Sequence, residues 1–219
     1  TMGESACKGI SAKGAAIAGA MGGLASSIAS TLVGAVSGLA GEIAEASDST
    51  QKFASTLNFA GIDGSTIKDL TASTQEYADK TVFSLSDIRN TTAQLAANGV
   101  DGYERLAEAA GNLTAVAGGG ANEFKSVAMM LTQTAGAGKL TTENWNQLSD
   151  AIPGASGKLQ EAMRANGAYT GNFREAMEKG EISAEEFNQA IMELGMTDAA
   201  QQAASSTATI EGAMGNLEA

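Results

Sequence analysis

The residues that come nearest to a chemical motif are Gly138 and Lys139. A phosphate-binding loop reads G-x-x-x-x-G-K-[ST], so that backbone amides and a hydroxyl embrace phosphates and Mg²⁺. Here the first glycine position holds Gln133 and the hydroxyl position holds Leu140, which removes both ends of the cradle. The triple glycine 118–120 is better explained as a helix break. Glu185 and Glu186 are sequence neighbours that point apart on a helix, so they read as first-turn acids favouring the helix dipole rather than as an acid–base couple. The chain has no histidine and one cysteine, Cys7, which removes the commonest general base, triad member and zinc ligand together. An EF-hand needs a regular series of oxygen ligands ending in glutamate, and the segment from Asp63 onward offers none. Asn90-Thr91-Thr92 and Asn112-Leu113-Thr114 fit the glycosylation sequon but fall in predicted helices and read as chance. The expectation is no enzyme, no catalytic residue, no cofactor and no metal.

The candidate functional residues are instead apolar. Residues 14–41 run for 28 positions without a charge, between Lys13 and Glu42. Ile17, Met21, Leu24, Ile28, Leu32, Val36 and Leu39, followed by Ile43, are spaced by steps of 4, 3, 4, 4, 4, 3 and 4. Steps averaging about 3.7 describe one helix with a single stripe that drifts slowly around the axis. Apart from Val33, everything between Ile17 and Leu39 off the stripe is Gly, Ala, Ser or Thr. Three fates fit such a helix. It is long enough to cross a bilayer, with Gly19/Gly23 and Gly34/Gly38 as GxxxG pairs, although its glycines and serines make it less hydrophobic than an ordinary span. It could bury its seam against copies of itself or a partner, or pack in the core of its own domain. The Lys8/Lys13 flank imitates a secretory signal, but the run is too long and too glycine-rich for one, and Thr1-Met2 reads as the edge of a fragment.

Composition bounds what surrounds that helix. Among 219 residues, 43% are hydrophobic and only 5% aromatic, so the core must be Ala, Leu, Ile and Met. One proline and 27 glycines indicate helices punctuated by glycine, and alternating β-branched runs are absent, so the expected fold class is all-α. The net charge is −12, and after residue 41 acids exceed bases by 13. That balance argues against a nucleic-acid footprint. The lone cysteine excludes an internal disulfide and agrees with a reducing compartment.

The pattern predicts three regions: a long Gly/Ala-rich amphipathic or membrane-active helical segment over 1–58, a compact multi-helix domain of short helices over 59–196, and the start of a further amphipathic helix over 197–219. Ile43, Phe53 and Leu57 are placed to turn the first segment onto the domain. Within the domain, Ser65 is the expected N-cap of a helix to about Lys80, and Ser84 with Asp87 opens another that ends before a left-handed Gly99. A helix from about Asp101 buries Tyr103, Leu106, Ala110, Leu113 and Val116. Asn122 begins the next, with Phe124, Val127, Ala128 and Leu131. A short helix around Trp145 and Leu148 stops at Pro153-Gly154. Leu159 and Met163 mark another, and Phe173 and Met177 one closed by Gly180. Ser183 with Glu186 is the best capping box, followed by Phe187, Ile191 and Leu194. Ile210, Met214 and Leu217 give the tail its apolar spacing.

Three stretches carry a resemblance. DKTVFSLSDIRNTTAQLAANGV (79–100), AAGNLTAVAGGGANEFKSVAMMLTQTAGAGKLTTENWNQLSDAIPGASGKLQEAM (109–163) and FREAMEKGEISAEEFNQAI (173–191) closely resemble the N-terminal domain of phage and prophage tail tape measure proteins. The resemblance covers roughly the last two thirds of the chain and supplies no catalytic residues. It implies a fragment of a longer, mostly helical ruler around which the tail tube assembles, tail length following ruler length. It further implies other copies of the chain, tail tube and tail-tip proteins and tail assembly chaperones as partners, with no specific nucleic-acid binding. The implied locations are the virion tail tube lumen, the host cytoplasm during assembly and the host membrane at ejection, where the protein helps the genome cross. A membrane-active helical effector or pore former is the alternative that the N-terminal stretch leaves open.

Overall fold

The computed structural model describes residues 48–206, which fall within one compact unit beginning at Asp48. Among the described residues there are ten helices and no strand. In chain order they are α1 (Asp48–Phe59), α2 (Gly64–Lys80), α3 (Leu85–Ala97), α4 (Tyr103–Val116) and α5 (Ala121–Ala137). They continue as α6 (Thr142–Ala151), α7 (Pro153–Ala165), α8 (Phe173–Lys179), α9 (Ala184–Gly195) and α10 (Asp198–Ala204). The all-α expectation holds for these residues. The long N-terminal helix, Ile43 and the apolar spacing at Ile210, Met214 and Leu217 lie outside them.

Helix α4 is the axis of the domain. It packs against α3, α5, α9 and α10, and Leu106, Ala107, Ala109, Ala110, Gly111, Asn112, Leu113 and Thr114 are all buried. A helix buried on every side must be smooth if its neighbours are to reach its backbone. The alanines and Gly111 make it so. A Cβ at Gly111 would fall 3.2 Å from the Phe83 ring and meet the Tyr77 hydroxyl. The tightest approach is at Gly195, the last residue of α9, where a Cβ would collide with the Ala109 carbonyl and come within 2.7 Å of the Ala109 Cα.

Around α4 the core is filled by Phe124, Val127, Met130 and Leu131 of α5, Leu159 and Met163 of α7, and Phe187 and Ile191 of α9. The aromatic residues, though few, are gathered in two places. Phe83 and Phe124 pack as a tilted pair with centroids 4.8 Å apart. Trp145, Phe173 and Tyr169 form a second group, with Phe173 at 4.7 Å from Trp145 and 5.1 Å from Tyr169. Phe53, Leu57, Ile67 and Leu70 are also buried, but not as members of the cluster built on α4.

Several boundaries move relative to the sequence reading. The N-cap of α2 is Asp63 rather than Ser65, because its carboxylate accepts from the Ser65 and Thr66 amides at 3.0 and 3.1 Å and brings a negative charge to the positive end of the helix. α4 begins at Tyr103 after a left-handed Gly102, and α5 at Ala121, where Glu123 accepts from the Gly120 amide at 2.8 Å. Pro153 opens α7 as its first residue as well as closing α6, the helical position that tolerates a missing N–H. Val116, expected in the core, is 45% exposed at the end of α4. Ser84, Ser183 and Gly99 behave as expected.

Two glycines on helices separate close approach from mere permissiveness. Gly195→Ala is expected to destabilise the domain by about 1–3 kcal/mol through overpacking. Gly157→Ala, on an exposed face of α7 with nothing within 4 Å of the new methyl, is expected to stabilise it by about 0.5–1 kcal/mol. Urea unfolding followed by circular dichroism checks both signs.

Candidate functional site

Two features of the domain offer contact or coupling. The first is an apolar groove of about 320 Å³, lined by Leu113, Val116 and Ala117 at the end of α4, Gly154, Ala155 and Lys158 on α7, and Leu194, Thr197 and Ala199 at the junction of α9 and α10. It forms because Val116 turns outward as α4 ends, while Gly154 lets α7 come close to Ala117, whose carbonyl would lie 3.4 Å from a Cβ there. The groove is suited to an apolar side chain. Lys158 is its single ionisable lining residue, so it holds no acid–base couple.

The second feature is a clasp between two loops. Gly138 and Gly180 each end a helix in the left-handed region, at φ 70° and 69°. Lys139 and Ser183 form an antiparallel bridge, and the Leu140 amide donates to the Ile182 carbonyl at 3.0 Å while the Ala184 amide donates to the Gly138 carbonyl at 3.1 Å. Each loop then opens a helix with a hydroxyl cap. Thr141 accepts from the Asn144 amide at 3.2 Å and Ser183 from the Glu186 amide at 3.1 Å. An aromatic residue follows in each, Trp145 and Phe187, both buried.

The clasp is an internal repeat that the sequence reading missed. Gly138, Leu140, Thr141, Glu143, Trp145, Asn146 and Gln147 recur 42 positions later as Gly180, Ile182, Ser183, Glu185, Phe187, Asn188 and Gln189. The signal was the constant offset; two short and conservatively altered copies are faint by eye. The second copy has Gly and Glu six residues apart, as in the latter half of an EF-hand loop, but its earlier positions belong to α8, with Met177 and Lys179 where oxygen ligands would be needed. Glu186 accepts from the Ser183 amide at 2.9 Å instead.

The remaining motifs resolve in the same way. Gly138-Lys139 serves the clasp, and Gly118, at φ 87°, ends a helix. Asn112 is buried, with its Oδ1 2.8 Å from the Tyr77 hydroxyl, which withdraws its sequon from solvent. Among the described residues there is no group of three or more potential metal ligands, and no helix is long and apolar enough to cross a membrane. The seam residues Ile17, Met21, Leu24, Ile28, Leu32, Val36, Leu39 and Ile43 lie outside the described residues.

Comparison with protein families places this helical domain. A family model described as tape measure protein matches residues 41–219. The chain belongs to the tape measure protein family. No curated protein and no solved structure matches it. The match takes in every described helix and both loops of the clasp, so these are features of a tape measure domain, a structural part of a phage tail.

One carboxylate works against the domain at neutral pH. Burial, with Glu104 beside it, pushes the Glu108 carboxyl above its ordinary range, and Glu108 in turn helps burial to push up the Tyr77 phenol, whose hydroxyl lies 3.1 Å from the Glu108 carbonyl. A carboxyl raised on folding disfavours the native state where it is ionised, and the cost disappears as pH falls through the folded pKa towards the unfolded one. Glu108→Gln is therefore expected to be more stable than wild type at pH 7, with the difference shrinking as pH falls towards 4. Paired urea titrations at several pH values check this.

Proposed function

We propose that the chain acts as part of a ruler and scaffold inside the phage tail tube. Copies associate along the seam from Ile17 to Ile43, and residues 60–195 form a folded helical module. Membership of the tape measure family over residues 41–219 is the observation that carries this reading. The uncharged 28-residue run supports it, since a lumenal bundle needs long helices with a narrow apolar seam and a smooth exterior. The acidic balance of −12 suits a protein that lies ahead of DNA in a tube without holding it.

In this reading the tube and tail-tip proteins surround the chain in the particle, and tail assembly chaperones hold it in the host cytoplasm before the tube closes. At infection it leaves ahead of the genome and helps it across the host membrane. The absence of charge between Lys13 and Glu42 also supports a second reading, in which the stretch makes the protein a membrane-active effector independent of tails.

A length experiment separates the two. Duplicating residues 14–43 in frame adds 30 residues, which as a helix at 1.5 Å per residue is expected to lengthen tails by about 45 Å in electron micrographs. Tails of unchanged length would count against the ruler placement of this stretch. Leakage from liposomes that Leu24→Asp and Leu32→Asp abolish, with no chain recovered in purified tails, would favour the effector.

A further inference from the structure

We propose that α1 is a releasable strap: it lifts from α2 and α3 while α4 and α9 keep their packing, and Arg89 is the pin that holds it down.

The strap sits apart from the axis of the domain. α1 packs on α2 and α3, and its buried side chains Phe53, Ala54 and Leu57 belong to the set that stays outside the cluster around α4. Two large apolar side chains and an alanine must offset the ordering of twelve residues. Besides this apolar contact, a polar link joins the three helices. Arg89 of α3, only 4% exposed, donates from Nη1 to Thr50 Oγ1 of α1 at 2.7 Å. It also donates from Nε to Thr74 Oγ1 and from Nη2 to the Thr71 carbonyl of α2, at 3.2 and 3.1 Å. The guanidinium lies over the Phe53 ring of α1, 5.5 Å from its centroid.

That pin is a buried cation whose partners are hydroxyls, a carbonyl and a ring. Among the described residues no carboxylate forms an ion pair with Arg89, and three of its five N–H groups are bonded. Burial pulls its pKa down from the ordinary arginine value, although the group stays charged. Charge-assisted hydrogen bonds hold it in place, but no carboxylate among the described residues offsets the water it has lost. Lifting α1 returns the guanidinium to water. Release is read directly in the amides of α1.

Native-state hydrogen exchange on the whole 219-residue chain tests this. Interior amides of α1 are expected to exchange at least about tenfold faster than those of α4 and α9, through an opening that depends little on denaturant. Arg89→Ala is expected to speed α1 by a further factor of about ten or more, since hydrogen bonds to a charged group are lost, while α4 and α9 stay within about twofold. Leu57→Ala, which leaves Arg89 in place, should likewise accelerate α1 alone. Equal rates and equal denaturant dependence for α1 and α4 in the wild type would overturn the strap. An Arg89→Ala variant that leaves α1 unchanged, or accelerates α4 and α9 equally, would overturn Arg89 as its pin.

Discussion

The domain depends on the contact between Gly195 and the Ala109 carbonyl. Helices bearing large side chains pack at axial distances of about 8–10 Å, whereas this crossing brings the end of α9 against the backbone of α4. Only glycine over alanine permits that. Once α9 is seated there, its neighbours follow, because α10 starts three residues beyond Gly195 and also lies on α4. The Ala204 carbonyl at the end of α10 then accepts from the Val82 amide at 3.2 Å, joining the last described helix to the loop before α3. A chain with few aromatic residues gains cohesion here from many small contacts at short range.

The clasp between the Gly138 and Gly180 loops is the second constraint. Tight glycine turns at helix ends usually leave backbone groups to water, but here two such turns satisfy each other. The duplicated pattern of left-handed glycine, apolar residue, hydroxyl cap and aromatic residue repeats the local geometry, and the bridge sets one copy antiparallel to the other. Trp145 follows one loop and Phe187 the other, so the same hydrogen bonds that close the clasp fix where two of the largest core side chains enter. α1, by contrast, packs Phe53 and Leu57 outside the cluster built on α4 and is tied to α3 by the hydrogen bond from Arg89 to Thr50. The domain therefore combines an interlocked interior with a loosely held first helix, and that helix follows directly on the segment bearing the uncharged run.

For a tape measure protein this division has a physical sense. A structural module needs a stable interior, which α4 and its neighbours supply. The groove beside Val116 and Lys158 lies on the module and offers apolar contact without chemistry. Nothing in the side-chain arrangement around it brings an acid and a base together.

Much of the domain was written locally. Apolar periodicity with serine, proline and glycine at helix ends determined the helical class, and it placed Ser84, Ser183, Gly99 and Gly180 correctly, because capping and left-handed turns depend on residues only a few positions apart. The family was legible too, since the stretches 79–100, 109–163 and 173–191 are long and ordered. Tertiary structure decided what depends on distant partners. Asp63 displaced Ser65 as a cap through the amides its carboxylate could reach. Val116, apolar and in register with the α4 stripe, emerged at the surface because the helix ends beside a groove. The burial of Arg89 could not be read from a polar stretch of α3, since a cation enters the interior only when threonines from two other helices and a phenylalanine ring arrive to receive it. The pairing of two loops 42 residues apart likewise required the chain to fold back: each loop's sequence specifies its own turn, while hydrogen bonds between loops are specified only by the packing that brings them together.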